Sequence, residues 1–234
     1  MNTLENALQE LKMGRFILIY DSDDREGETD FVIASQFVTK DSVRRMRVDG
    51  GGLLCVTMHE SIHEKLGIPF MTDVYTAAGG KYPVLKELVP DDIPYDAKSA
   101  FSITMNHRKT FTGITDIDRA LTISEFAKFT RSMENLSKKE AMAEFGKQFR
   151  APGHVTMLNA AKGLLDKRQG HTEFTTALML MAGLAPTASI CEMMWETGKA
   201  RPRKEAARYA EENGLVMLSG EGIMAEWKRR KQDD

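Results

Sequence analysis

The chain opens on a helical stripe. Leu4, Ala7, Leu8 and Leu11 recur at the i, i+3, i+4, i+7 spacing of one buried helix face. Asn2 is placed to cap that helix, with Glu5 three residues on as in a capping box, and Gly14 to end it. The apolar run at 16–20 (FILIY) reads as a buried strand, bounded by the acidic stretch 21–30 (DSDDREGETD). A second apolar run follows from Phe31 to Val38. Gly50, Gly51 and Gly52 predict a flexible turn before a strand over 53–58 (LLCVTM). Four of the seven prolines, Pro69, Pro83, Pro90 and Pro94, interrupt 69–94, so that stretch reads as loop with short pieces of structure. From 99 to 106, Phe101, Ile103 and Met105 alternate with Ser102, Thr104 and Asn106, the pattern of a half-buried strand. Helices are predicted over about 118–131 and 155–166, with 132–148 as a polar surface segment between them. A helix near 172–183 leads to a strand near 187–192. The helix 204–213 (KEAARYAEEN), stopped by Gly214, precedes a strand at 215–218 (LVML) and a last helix over about 221–228. Strands and helices intermix without repeats or a compositional break, so residues 1–234 predict a single α/β-type domain.

Composition narrows the class. A chain of 234 residues buries about 70–75% of its unfolded surface and needs no disulfides to hold a core. The charge sum, 32 − 34 = −2, supplies no basic field for nucleic acid. Two cysteines, Cys55 and Cys191, are too few for a disulfide framework or a Cys-rich zinc site and point to a reducing compartment. The start, MNTLENALQE, lacks the basic and apolar regions of a signal peptide. FILIY is far short of the ~20 residues that span a bilayer. The expectation is a cytoplasmic protein with neither a nucleic-acid nor a membrane partner. The fifteen methionines read as adaptable core filler.

Four stretches carry candidate chemistry. Asp21, Asp23, Asp24, Glu26, Glu28 and Asp30 surround Arg25, six carboxylates in ten residues. Like charges packed so densely need a compensating cation, and oxygen ligands suit Mg²⁺, Mn²⁺ or Ca²⁺. The EF-hand spacing fails, because its twelfth position is Val32. A solvated acidic turn is an equal reading of the composition. His154, within 151–155 (APGHV), is placed to be a base, acid or metal ligand, although an isolated histidine is more often a capping or core residue. The stretch 168–172 (RQGHT) opens a helix whose free N–H groups bind phosphate; Arg168 adds a fork of donors, Thr172 a hydroxyl and His171 a metal donor. An ordinary loop-to-helix junction has the same outline. Glu192, in the apolar run 190–194 (ICEMM), is either a functional carboxylate or one turned to solvent by strand alternation. Asp116 or Asp118 reads as a helix cap, His59, His63 and His107 as structural or surface residues, and Cys55 as core.

In this order, DSDDREGETD, GGLLC, KSAFSIT, HRKTFTGITDIDRA, FRAPGHV, RQGHTE and ICEMM closely resemble the 3,4-dihydroxy-2-butanone 4-phosphate synthase family, lyases of riboflavin biosynthesis, in its stand-alone archaeal form. The resemblance runs from about Asn2 to about Gly222. It implies an α+β fold, a single three-layer domain with a mixed twisted β-sheet between helical layers. It implies a homodimer with the active site near the subunit interface. The implied reaction converts D-ribulose 5-phosphate into L-3,4-dihydroxy-2-butanone 4-phosphate and formate. It uses Mg²⁺ or Mn²⁺, two ions per site, and no organic cofactor. Carried across residue by residue, the resemblance assigns catalysis to His154 and Glu192. It assigns metal binding to His171 and to Glu26, which in the family bridges two ions. Substrate binding falls to Arg25, Glu26, Asp30, Arg168, Gln169, Gly170, His171, Thr172 and Glu192, with Glu28 in the same matched loop. The chain departs from the family at 195–206 (WETGKARPRKEA), where an Asp- and Gly-rich turn is usual, and 132–148 is not well matched. A GTP cyclohydrolase II half, present in bifunctional bacterial forms, has no room in 234 residues. The alternatives are a metal-dependent phosphosugar isomerase and a nucleotide- or RNA-binding module. The net charge of −2 and the lack of a basic, aromatic stripe speak against the second.

Overall fold

A strand buried at nearly every position must be covered on both faces, and the central strands of this chain are of that kind. The computed structural model describes residues 3–90 and 92–233. Its first elements are α1 (Thr3–Lys12), β1 (Ile17–Tyr20), β2 (Thr29–Ala34), α2 (Lys40–Arg45), β3 (Cys55–Met58) and α3 (Glu60–Leu66). Then come α4 (Met71–Ala78), α5 (Val84–Glu87), β4 (Phe101–His107), α6 (Asp116–Ser132), α7 (Lys138–Gln148) and β5 (Phe149–Asn159). The chain ends with α8 (His171–Met181), β6 (Thr187–Glu192), α9 (Arg203–Glu212), β7 (Val216–Ser219) and α10 (Gly220–Asp233). The strands form one mixed sheet in the order β4-β5-β3-β6-β2-β1-β7. Pairings β1–β7 and β3–β5 are parallel, and β1–β2, β2–β6, β3–β6 and β4–β5 are antiparallel.

Alternate side chains sort into two cores. Leu18, Phe31, Ile33, Val56 and Met157 pack on one side with residues of α2, α3, α6 and α9. Ile17, Ile19, Val32, Cys55 and Ile190 pack on the other with α1, α8 and α10. The result is the expected α+β architecture, a sheet between two helical layers. Burying one such side chain contributes about 1.5–3 kcal/mol, so the register of the central strands is strongly specified. That register sets Asp30 of β2 directly opposite Glu192 of β6, at one end of the sheet.

Several elements depart from the sequence expectations. The Asn2 cap lies outside the described residues, while Gly14 does take up the left-handed conformation at the end of α1. The predicted helix over 155–166 is instead the second half of β5, followed by a short 3-10 turn at Leu164–Asp166. The second half of β5 pairs in parallel with β3 and is buried at every position, and a largely apolar run of this kind imitates a buried helix. The polar segment 132–148 contains helix α7, begun by a capping box between Ser137 and Glu140. It buries fully only Ala141, which is why no apolar stripe announced it. β2 begins inside the acidic stretch, at Thr29, and buries Asp30. In β4 the alternation breaks: Phe101 is 47% exposed while Ser102 is buried, its hydroxyl donating to the Pro69 carbonyl at 2.6 Å. Register shifts on either side of Thr104–Met105 account for the break. The 69–94 stretch is loop carrying α4 and α5, as its prolines required.

Candidate active site

One carboxylate turns the β1–β2 connection back on itself. Asp21 is 2% exposed and accepts the backbone N–H groups of Glu26 and Glu28, each at 3.0 Å. Those loop amides would otherwise lack a partner. The closed loop presents Glu26 to the first turn of α8, where His171 is buried. The His171 Nε2–H donates to the Ile19 carbonyl at 3.2 Å, which turns Nδ1 toward Glu26 Oε2 at 3.4 Å. A metal-ligating histidine is oriented in this way, by a carbonyl on its other ring nitrogen. Asp30 Oδ1 lies 3.7 Å from His171 Nε2, buried and without a hydrogen-bond partner.

The charges of this corner are strongly coupled. Burial alone would push the His171 imidazolium down, but Asp30, the Glu26 hydrogen bond and Asp21 outweigh it and carry it up to about 10. The same hydrogen bond lowers Glu26 despite its burial. Burial raises Asp30 well above the ordinary carboxylate range and raises Glu28 more modestly. Asp21, Glu26 and His171 each bring a donor atom within 4.8 Å of the others. Each Asp21 oxygen already accepts an amide, whereas Glu26 and His171 Nδ1 hold only each other, with the unpaired Asp30 oxygen beside them. Carboxylate oxygens with one imidazole fit a hard divalent cation such as Mg²⁺ or Mn²⁺.

Beside this acidic corner two arginines converge on Asp96. Arg168 donates through Nη1 to Glu173 at 2.5 Å and through Nε to Asp96 at 2.6 Å. Glu173 is fully buried and also accepts the Ala161 amide at 2.9 Å, so it fixes the guanidinium. A Cβ on Gly170 would sit 2.5 Å from Arg168 Nη1, so a side chain there would push the guanidinium from its place over the helix start. Glu192 is held from the opposite strand end. Its Oε2 accepts the Leu53 amide at 2.7 Å, and a Cβ on Gly52 would come within 2.3 Å of that oxygen. The glycine turn is therefore pinned, with Gly52 donating to the Glu192 carbonyl and Met194 to that of Gly50.

Glu26, Asp30, Arg168, His171, Thr172 and Glu192 line one cavity of ≈ 110 Å³, floored by Cys55 and Ile190 and bordered by Ile93, Tyr95 and Asp96. Arg25 and Gln169 line the neighbouring cavity with Asp21. Gly170 supports Arg168 from below, and Glu28 lies on the loop without lining the first cavity. His154 is not brought into it. It belongs to β5 rather than to a helix approach, and it is exposed. Its amide donates to Asn106 Oδ1 at 2.8 Å, and its Nδ1 accepts from Asn106 Nδ2 at 3.1 Å. Cys55 pairs with both Thr156 and Ile190, so His154 lies at the same end of the sheet as Glu192. Two strand spacings, about 10 Å, separate their backbones. Sequence reasoning passed over Glu173, Asp96 and Asn106 and gave Asp21 no separate role. Only Glu173 carried a signal, one turn into the helix that Arg168 precedes.

The chain has known relatives. The family model of 3,4-dihydroxy-2-butanone 4-phosphate synthase matches residues 5–226. The 3,4-dihydroxy-2-butanone 4-phosphate synthase of Methanothermobacter thermautotrophicus is 51% identical over 218 residues, covering 93% of this chain and 92% of that one. The synthase of Archaeoglobus fulgidus is 46% identical over 230 residues, covering 97% and 95%. A solved 3,4-dihydroxy-2-butanone 4-phosphate synthase in complex with two magnesium ions superimposes with a TM-score of 0.75 over 99% of each chain. At 23% identity this is a likeness of fold. Among the described residues, no helix is long and apolar enough to cross a membrane.

Proposed function

This chain belongs to the 3,4-dihydroxy-2-butanone 4-phosphate synthase family, enzymes of riboflavin biosynthesis, and we propose that it converts D-ribulose 5-phosphate into L-3,4-dihydroxy-2-butanone 4-phosphate and formate. The observation that carries this reading is the meeting of Glu26, His171, Arg168, Thr172 and Glu192 on one cavity. The reaction balances without an outside oxidant or any net loss of water: a water is expelled, the carbon skeleton shifts, and a water is taken up again as one carbon leaves as formate. It needs a fixed phosphate, a held enediolate and several proton transfers.

Arg168, the Thr172 hydroxyl and the free amides at the start of α8 hold the phosphate. Anchoring it fixes the reacting carbons against the acidic corner. Glu26 and His171 would hold the divalent cation, Mg²⁺ or Mn²⁺ and two ions per site, which supplies Lewis acidity to adjacent sugar oxygens. Arg25, Asp30, Gln169 and Gly170 complete the substrate-binding set. Glu192, oriented through Oε2 by the Leu53 amide, and His154, oriented by Asn106, move the protons. Hydrogen bonding at Nδ1 leaves Nε2 as the working nitrogen of His154.

A homodimer fits the position of His154 outside the cavity. The adjoining segment shows Phe111 at 93% and Ile117 at 66% exposure, an apolar edge for a second copy to cover. The two buried free thiols suit the cytoplasm. The test is a formate assay with purified protein, D-ribulose 5-phosphate and Mg²⁺, with and without EDTA. Metal-dependent formate release is expected. Ketose isomerisation without formate would make the protein an isomerase, and no reaction with any divalent ion in folded protein would overturn the reading.

A further inference from the structure

The two guanidinium groups beside the cavity are already engaged. Arg25 Nη2, at 3.1 Å, and Arg168 Nε, at 2.6 Å, both donate to a single oxygen, Oδ2 of Asp96. A carboxylate oxygen shared by two guanidinium groups stands where a phosphate oxygen would be bound. Arg25 also lies over the Tyr95 ring at 5.8 Å and donates to the Tyr95 carbonyl at 3.4 Å. The segment that carries Asp96 has little else to hold it. No residue from 92 to 99 is buried, and neither α4 nor α5 just before it buries a side chain. Lys98, paired with Asp73 at 2.8 Å, is a further surface contact.

Size points the same way. The cavity under this segment is ≈ 110 Å³. An empty cavity of about 150 Å³ holds one benzene ring, and a phosphorylated five-carbon sugar has more than twice as many heavy atoms. With Asp96 seated, this space is too small to enclose the whole substrate, which would extend into the solvent-open mouth.

We propose that Asp96 is an internal anion that occupies the Arg25–Arg168 pair in the free enzyme and yields it to the phosphate of the substrate, releasing residues 92–98 from the cavity. The inference rests on the proposed reaction for the identity of that phosphate. While Asp96 is seated it keeps both guanidinium groups aligned and uncompensated charge out of the site. Phosphate must compete with it, so the apparent affinity of the enzyme for phosphate is reduced by the fraction of molecules in which Asp96 is bound.

The probe is inorganic phosphate, titrated by calorimetry, with hydrogen exchange of 92–98 followed in parallel. Asp96→Asn keeps the shape and removes the charge, and it should bind phosphate about tenfold more tightly. Asp96→Glu should restore the weaker wild-type affinity. In the wild type, phosphate should speed exchange at 92–98; in Asp96→Asn exchange should be fast beforehand and unaffected by phosphate. Equal or weaker phosphate binding by Asp96→Asn, or wild-type exchange that slows or stays constant, would overturn the proposal. So would failure of both proteins to bind millimolar phosphate. Neither readout needs turnover. Absent formate with these shifts present refutes the synthase reading alone, and formate with the shifts absent refutes this one alone.

Discussion

Asp21 and Asp96 offer the same functional group to the same region and are held in different ways. Asp21 is clasped by two backbone amides of its own loop, next to a strand packed in the core. Asp96 is clasped by the tips of two long side chains, on a segment with no buried residue. Backbone donors cannot leave without unfolding the loop, whereas guanidinium groups can change partner at the cost of one ion pair for another. The acidic corner is therefore built to stay in place, and the border across the cavity is built to exchange.

The largest effects should come from the fixed side. Glu192→Gln and His154→Ala should each lower turnover by about 10²–10⁴-fold while circular dichroism shows an unchanged fold. Near-normal activity in either would remove that residue from the proton transfers. An intermediate effect should come from Asp21→Ala. It frees the Glu26 and Glu28 amides, and metal affinity measured by titration should fall by about 10–100-fold. An unchanged affinity would show that the loop holds its shape without Asp21 and would erase the contrast with Asp96.

The smallest effect belongs far from both. Hydrogen bonds from Arg229 and Arg230 draw Glu226 down from 4.5 to about 2. A folded value below the unfolded one stabilises the protein above pH 4.5, and that contribution is lost as the pH falls toward 2. Glu226→Gln should cost less than about 1 kcal/mol at neutral pH and nothing at the acid end, because the pair lies near solvent. Denaturant melts at both pH values check it, and a larger loss would mean that α10 matters more to the fold than its position suggests.

Legibility in the sequence followed the range of the interaction. Helix α1, strands β1 and β6 and the stop at Gly214 were readable because each rests on a local period or a single turn residue. β5 was misread because pairing with β3, about a hundred residues away, decides its conformation. α7 was missed although its Ser137–Glu140 cap was in view, because its exposed surface left no apolar stripe to extend from that cap. In the candidate site, Glu26, Arg168, His171 and Glu192 were singled out because they sit in motifs. Asp96 belongs to no motif, and only the folded chain brings it to Arg25, some seventy residues earlier. Which strand end or cavity a motif residue reaches is likewise a property of the sheet, as the placement of His154 shows.

The facing of Asp30 and Glu192 across β2 and β6 also governs which length changes the gene can tolerate. One inserted residue within either strand would rotate every later side chain to the opposite face, driving a carboxylate into the aliphatic layer and an aliphatic group into the cavity. β4 already absorbs irregular spacing at the sheet edge, and the segment around α5 buries nothing. Insertions and deletions should therefore survive at the margins of this protein and be lost from its middle, so that the spacing of the central strands is inherited together with the chemistry.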